Sequence, residues 1–91
     1  MAVVTYGEYH PFDYGQVSVT SSPTLIVAQD AGTKSVSIEN TGSNTIYIGD
    51  AAVATTTGLP LIQFAAVQLQ TTNAIYAVAT STGTAAYIKC R

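Results

Sequence analysis

Lys34-Ser35-Val36-Ser37-Ile38-Glu39-Asn40, followed by Thr45-Ile46-Tyr47-Ile48-Gly49, decides the fold. Apolar and polar side chains alternate with period two, the signature of a half-buried strand. Val36 and Ile38 point inward in the first segment. Ile46 and Ile48 share one face of the second, with Tyr47 on the other. Asn40-Thr41-Gly42-Ser43-Asn44 between them reads as a hairpin-type loop.

The same reading extends in both directions. Gln16-Val17-Ser18-Val19-Thr20 alternates with Val17 and Val19 inward, and Ser21-Ser22-Pro23 breaks it. Residues 24–28 are apolar on both faces, which predicts a covered strand. Asp30-Ala31-Gly32 is a turn. Downstream, residues 50–60 read as a loop crossing between two sheets, and residues 61–64 as a further short strand. Residues 66–70 and 74–79 are strands separated by a turn at Thr71-Thr72-Asn73. Ser81-Thr82-Gly83 is the last turn, before a strand over 85–90. Helix-building Leu, Glu, Lys and Arg are scarce, whereas β-branched residues abound. About seven or eight strands at spacings near ten residues predict an all-β fold, a two-sheet antiparallel β-sandwich, jelly-roll-like.

The chain of 91 residues has room for one domain. Only 9% of its residues are charged, whereas 47% are hydrophobic; ordinary soluble domains carry about 25% charge. Thr, Ser, Ala and Gln must therefore supply the surface, and such a surface sheds water at little cost. Coverage by partner protein follows as an expectation, with self-association into a homo-oligomer and a trimer favoured. No apolar run nears the roughly 20 residues of a spanning helix, and the chain is too short for a membrane barrel. The opening Met-Ala-Val-Val-Thr-Tyr-Gly-Glu lacks a basic region followed by an apolar stretch, so no signal peptide is expected. With a net charge of −2 and only Lys34, Lys89 and Arg91 as bases, no cationic patch exists for nucleic acid.

Residues 1–14 read as an extended aromatic arm ahead of a sandwich domain over 15–91. Tyr6, Tyr9, Phe12 and Tyr14 lie there, with Gly7, Pro11 and Gly15 interrupting any regular element. Aromatic side chains on an irregular tail are costly to leave in water. These four are the candidate interface residues, docking onto another subunit or folding back onto their own domain.

Catalysis needs convergent reactive groups, and the sequence offers one His and one Cys at opposite ends. His10 belongs to the aromatic arm. Cys90 reads as a small buried hydrophobe closing the last strand. The acids Glu8, Asp13, Asp30, Glu39 and Asp50 are scattered, with Asp30 and Asp50 at turns where they cap backbone amides. The expectation is no enzyme, no metal and no cofactor. Tyr47, Tyr76 and Tyr87 could line a sugar-binding face, or fill a sheet face or an interface.

Ser35-Val36-Ser37-Ile38-Glu39-Asn40, Ile46-Tyr47-Ile48-Gly49, Thr57-Gly58-Leu59-Pro60-Leu61 and Ala74-Ile75-Tyr76-Ala77-Val78-Ala79 together resemble small virion proteins of tailed bacteriophages. The likeness spans residues 24–88 and rests on strands and turns. It implies a structural role, foremost that of a capsid cement (decoration) protein binding the major capsid protein on the outside of the phage head. That would place the chain on the virion surface after synthesis in the host cytoplasm. A tail or neck adaptor, a fibre-associated module and a carbohydrate-binding receptor domain remain the alternatives.

Overall fold

The computed structural model describes residues 12–91, and every regular element among them is a strand. In chain order these are β1 (Phe12–Val19), β2 (Thr24–Val27), β3 (Ser35–Asn40), β4 (Ile46–Gly49), β5 (Leu59–Leu61), β6 (Ala66–Leu69), β7 (Ile75–Ala79) and β8 (Gly83–Cys90). They form two four-stranded antiparallel sheets, ordered β1-β8-β3-β6 and β2-β7-β4-β5. These are called the first and second sheets below.

The pairings are nested. β4 pairs with β5, β3 with β6, β2 with β7 and β1 with β8. One long hairpin folded over and wrapped around itself produces this pattern, which is the jelly-roll connectivity. Every connection except β4 to β5 therefore passes from one sheet to the other.

Three sequence expectations are corrected here. Residues 41–45 are a crossover between sheets, because β3 and β4 lie in different ones. The connection expected to cross over residues 50–60 spans 50–58 and instead joins two neighbours of the second sheet. Sequence period reveals that a strand exists but not which sheet receives it, since both neighbours of a loop look alike locally. The short strand expected over 61–64 is displaced to Leu59–Leu61, and residues 62–65 turn.

Alternation fills the core as expected. Val19, Val36, Ile38 and Ile46 are almost completely buried, with Ile26, Val27, Ile48, Leu61 and Ile75 around them and Val17 packed alongside. Burying each such side chain contributes about 1.5–3 kcal/mol. β2 is not covered on both faces, because Leu25 stays 45% exposed. A register shift between Leu25 and Val27 inserts a bulge. The extra residue turns both consecutive side chains, Ile26 and Val27, toward the core.

Asn40 closes one end of the core from inside and is fully buried. Its side-chain amide donates to the carbonyls of Asn44 at 2.8 Å and Leu61 at 2.7 Å, while Oδ1 accepts from Gly42 N–H at 3.0 Å. A buried amide is tolerated because its hydrogen bonds are made.

The glycines of the segments 46–49 and 57–61 serve packing. A Cβ at Gly49 would fall 2.7 Å from Val53 Cγ2, and one at Gly58 would fall 2.7 Å from the same methyl and 2.8 Å from Tyr47 Cβ. Both glycines make room for Val53, which the 50–58 loop lays over the outward side of β4.

Candidate interaction surface

Of the four candidate interface residues, Tyr6 and Tyr9 lie outside the described residues. Phe12 and Tyr14 are described, and they ride on a strand rather than on an irregular tail. β1 begins at Phe12, four residues ahead of the strand expected at Gln16, and runs through Gly15 unbroken. Gly15 faces Tyr87 across the β1/β8 pair, and a Cβ there would lie 3.3 Å from the Tyr87 ring. The glycine thus accommodates an aromatic ring inside the sheet, which is why it does not end the strand.

Register places Phe12 and Tyr14 on the outer face of the first sheet. Residues directly opposite one another in antiparallel strands share a face. Tyr14 pairs with Ile88, Ile88 with Ser37, and Ser37 with Gln68, giving one row across four strands. Gln16, Ala86, Glu39 and Ala66 form the next row. Phe12 stands beside Cys90 at one end. Tyr14 is 76% exposed, and Phe12 and Ile88 are about half exposed. Glu39 is the one charged residue in the two four-strand rows. Between β8, β3 and β6 the face dips into a shallow groove of about 290 Å³, lined by Ser37, Glu39, Ala66, Ala86 and Ile88.

The outward side of the second sheet is more covered, although Leu25 stays exposed on β2. The 50–58 loop covers β4 with Val53, and Val78, opposite the outward Tyr47, is buried. Tyr47 and Tyr76 lie on the outward side of this sheet, whereas Tyr87 faces the interior of the first. Tyr47, Tyr76 and Tyr87 therefore share no single face, and these three build no common sugar platform.

A second apolar feature lies at the turn between β5 and β6, a position sequence reading assigned to a strand. Ile62 is 66% exposed and Phe64 is 70% exposed. Phe64 has φ 65°, the only positive φ of a non-glycine residue among those described. The Ala65 amide donates to the Ile62 carbonyl at 3.0 Å, so Phe64 fills the turn slot that glycine ordinarily takes. Two hydrogen bonds to Asn40 impose it: Phe64 N–H donates to Asn40 O at 2.7 Å, and Asn40 N–H to Ala65 O at 3.0 Å. A bulky residue held left-handed costs about 1–2 kcal/mol. Nothing in the sequence signals that strain.

The inner side of the first sheet holds a charged cluster. Lys89 is buried in register with Asp13 on β1 and Val36 on β3. Its Nζ lies 3.3 Å from Asp13 Oδ2 and 3.1 Å from Asp30 Oδ2. Arg91 Nη2 lies 2.7 Å from Asp13 Oδ2, and Arg91 Nε 2.9 Å from Asp30 Oδ2. Two acids and two bases thus balance, ending β8 against β1 and the β2–β3 turn. The Gly32 amide, which Asp30 Oδ1 accepts at 2.9 Å, and then the Lys89 hydrogen bond hold the Asp30 carboxyl below its ordinary value. Asp50 caps its own turn by accepting from Ala52 N–H at 2.9 Å. Cys90 is buried at the end of β8. His10 lies outside the described residues, and among those described no group of three or more His, Cys, Asp and Glu is arranged to hold a metal ion.

The described surface therefore exposes one broad, nearly uncharged sheet face and one strained apolar turn. Comparison of the chain with models of known protein families, with curated proteins and with solved structures finds no match.

Proposed function

We propose that this chain is a structural virion protein, a capsid cement protein on the outside of a tailed-phage head. The observation that carries the reading is the outer face of the first sheet. Four strands wide, it exposes Tyr14, Ile88 and Phe12 among mostly neutral side chains, while on the opposite sheet the 50–58 loop covers β4. Desolvating such a face costs little, because few charges lose their hydration. Jelly rolls occur in viral capsid and lectin domains alike, so the site rather than the fold must decide. The resemblance to phage virion proteins supports the capsid side.

The mechanism is mechanical. A protein that binds assembled capsid subunits, and not separated ones, shifts the balance toward the shell. At a free concentration of about 100 Kd that linkage contributes about 2.7 kcal/mol per site. An oligomer attaching through several arms would gain avidity without any strong single contact. In this reading Tyr6 and Tyr9 anchor to the capsid, and the sheet face, with Phe12 and Tyr14, is covered within the oligomer.

Cryo-electron microscopy of the virion tests it. The expected result is jelly-roll density in many copies on the head exterior, at junctions between capsid subunits. Density at a neck, tail or fibre tip, or absence from the particle, overturns the cement reading.

A further inference from the structure

We infer that the covered face is filled by a second copy of this chain, with the Phe64 turn of one copy seated in the Ala66/Ala86 groove of the next. This rests on the reading of the first sheet's outer face as an assembly surface, and it names the occupant.

Three observations point to it. First, Phe64 projects into solvent from a left-handed backbone at φ 65°, pinned by both backbone groups of Asn40. Strain of this kind persists where the surrounding structure over-determines it, and it gathers at functional positions. Glycine would occupy that slot without strain, so the ring itself is the unexplained feature. Second, the groove of about 290 Å³ is lined mainly by small and apolar residues, among them Ser37, Ala66, Ala86 and Ile88, with space for one aromatic side chain. Third, charge permits the contact between like copies. The chain carries a net charge of −2, but the turn at 62–65 is uncharged and Glu39 is the one charged residue lining the groove.

The area is sufficient for a modest association. Strands spaced about 4.8 Å apart, with residues rising about 3.3 Å, make the outer face roughly 19 by 20 Å. Ile62 and Phe64 add on the order of 250 Å². Each partner then contributes roughly 600 Å², at the lower edge of specific interfaces. Turn and groove adjoin on the chain, Ala66 following the turn directly, so a two-fold contact seats the turn of each copy in the groove of the other and both partners contribute both surfaces.

Analytical ultracentrifugation of the purified full chain tests the contact. The wild type is expected to sediment as a species heavier than its 9.4 kDa monomer at micromolar concentration. Phe64→Gly should raise the dissociation constant at least tenfold while keeping the strand signal and a thermal transition at or above that of the wild type. Ala66→Arg, at an exposed position of the groove, should weaken association equally without unfolding the chain. Mixing the two variants should restore a heterodimer, because one retains the groove and the other the turn. A wild type that remains monomeric, a Phe64→Gly variant that associates normally, or a mixture that forms no heterodimer overturns the contact. None of these results bears on where the protein sits in a virion, so the two readings fail separately.

Discussion

The amide of Phe64 donates to the carbonyl of Asn40 at 2.7 Å, joining the most exposed strained residue of the described chain to one of its most buried polar ones. Asn40 ends β3 on the first sheet, and its side chain reaches Leu61 O on the second. One asparagine therefore holds both sheets and the apolar turn together.

Replacing Asn40 should consequently be severe. Asn40→Ala leaves the carbonyls of Asn44 and Leu61 and the amide of Gly42 without their partner. Each unsatisfied buried group costs about 1–3 kcal/mol, partly relieved where water enters. Chemical denaturation should report a loss of about 2–4 kcal/mol. A loss below 1 kcal/mol would show that this network does not hold the end of the core.

Gly58→Ala probes the packing beneath the 50–58 loop. Its Cβ would meet Val53 and Tyr47 well inside van der Waals contact. Overpacking of this kind costs about 1–3 kcal/mol. Shortening the obstructing side chain in the double variant Gly58→Ala/Val53→Ala should recover part of that loss. Additive effects in the double-mutant comparison would disprove a direct clash.

The Asp30 cluster predicts acid sensitivity. The folded carboxyl titrates below its ordinary value of 3.8, held there by the Gly32 amide and by Lys89. A depressed carboxylate adds stability that is fully present above the unfolded value and is lost as pH falls through the folded one. The melting temperature should therefore drop as pH falls below about 4. Asn at position 30 keeps an acceptor for the Gly32 amide but not the charge, so Asp30→Asn should flatten this dependence and lower stability at neutral pH. An unchanged pH profile in Asp30→Asn would remove the cluster from the explanation.

Tyr14→Ser separates assembly from folding. Tyr14 lies beside Ile88 on the outer face and is largely exposed, and such surface changes usually alter stability by no more than about 0.5 kcal/mol. Thermal melting should barely move. Self-association should weaken about tenfold, equivalent to about 1.4 kcal/mol. A large fall in melting temperature with unaltered association would assign Tyr14 to the fold instead.

Much of this was legible in the chain, for reasons that are local. A strand's side chains alternate by geometry, so Val17 and Val19, Val36 and Ile38, and Ile46 and Ile48 announce their inward faces without any partner. Asp30 and Asp50 cap their turns two residues onward, again a short-range matter. The candidate surface was only half legible. Phe12 and Tyr14 stand out as aromatics, but their place on β1 depends on pairing with β8 at the far end of the chain.

The sequence by itself determined an all-β domain with a nearly uncharged surface, because composition and period two act residue by residue. Only the tertiary structure decided the nested pairing that makes it a jelly roll and sends residues 41–45 across while keeping 50–58 within one sheet. It also decided the bulge that turns Ile26 and Val27 inward together. Asp13 meets Arg91, which ends the sequence, and Phe64 is forced left-handed by Asn40 on another strand. Each of these is set by contacts between segments remote in sequence, where the pairing of strands outweighs the preference of any single residue.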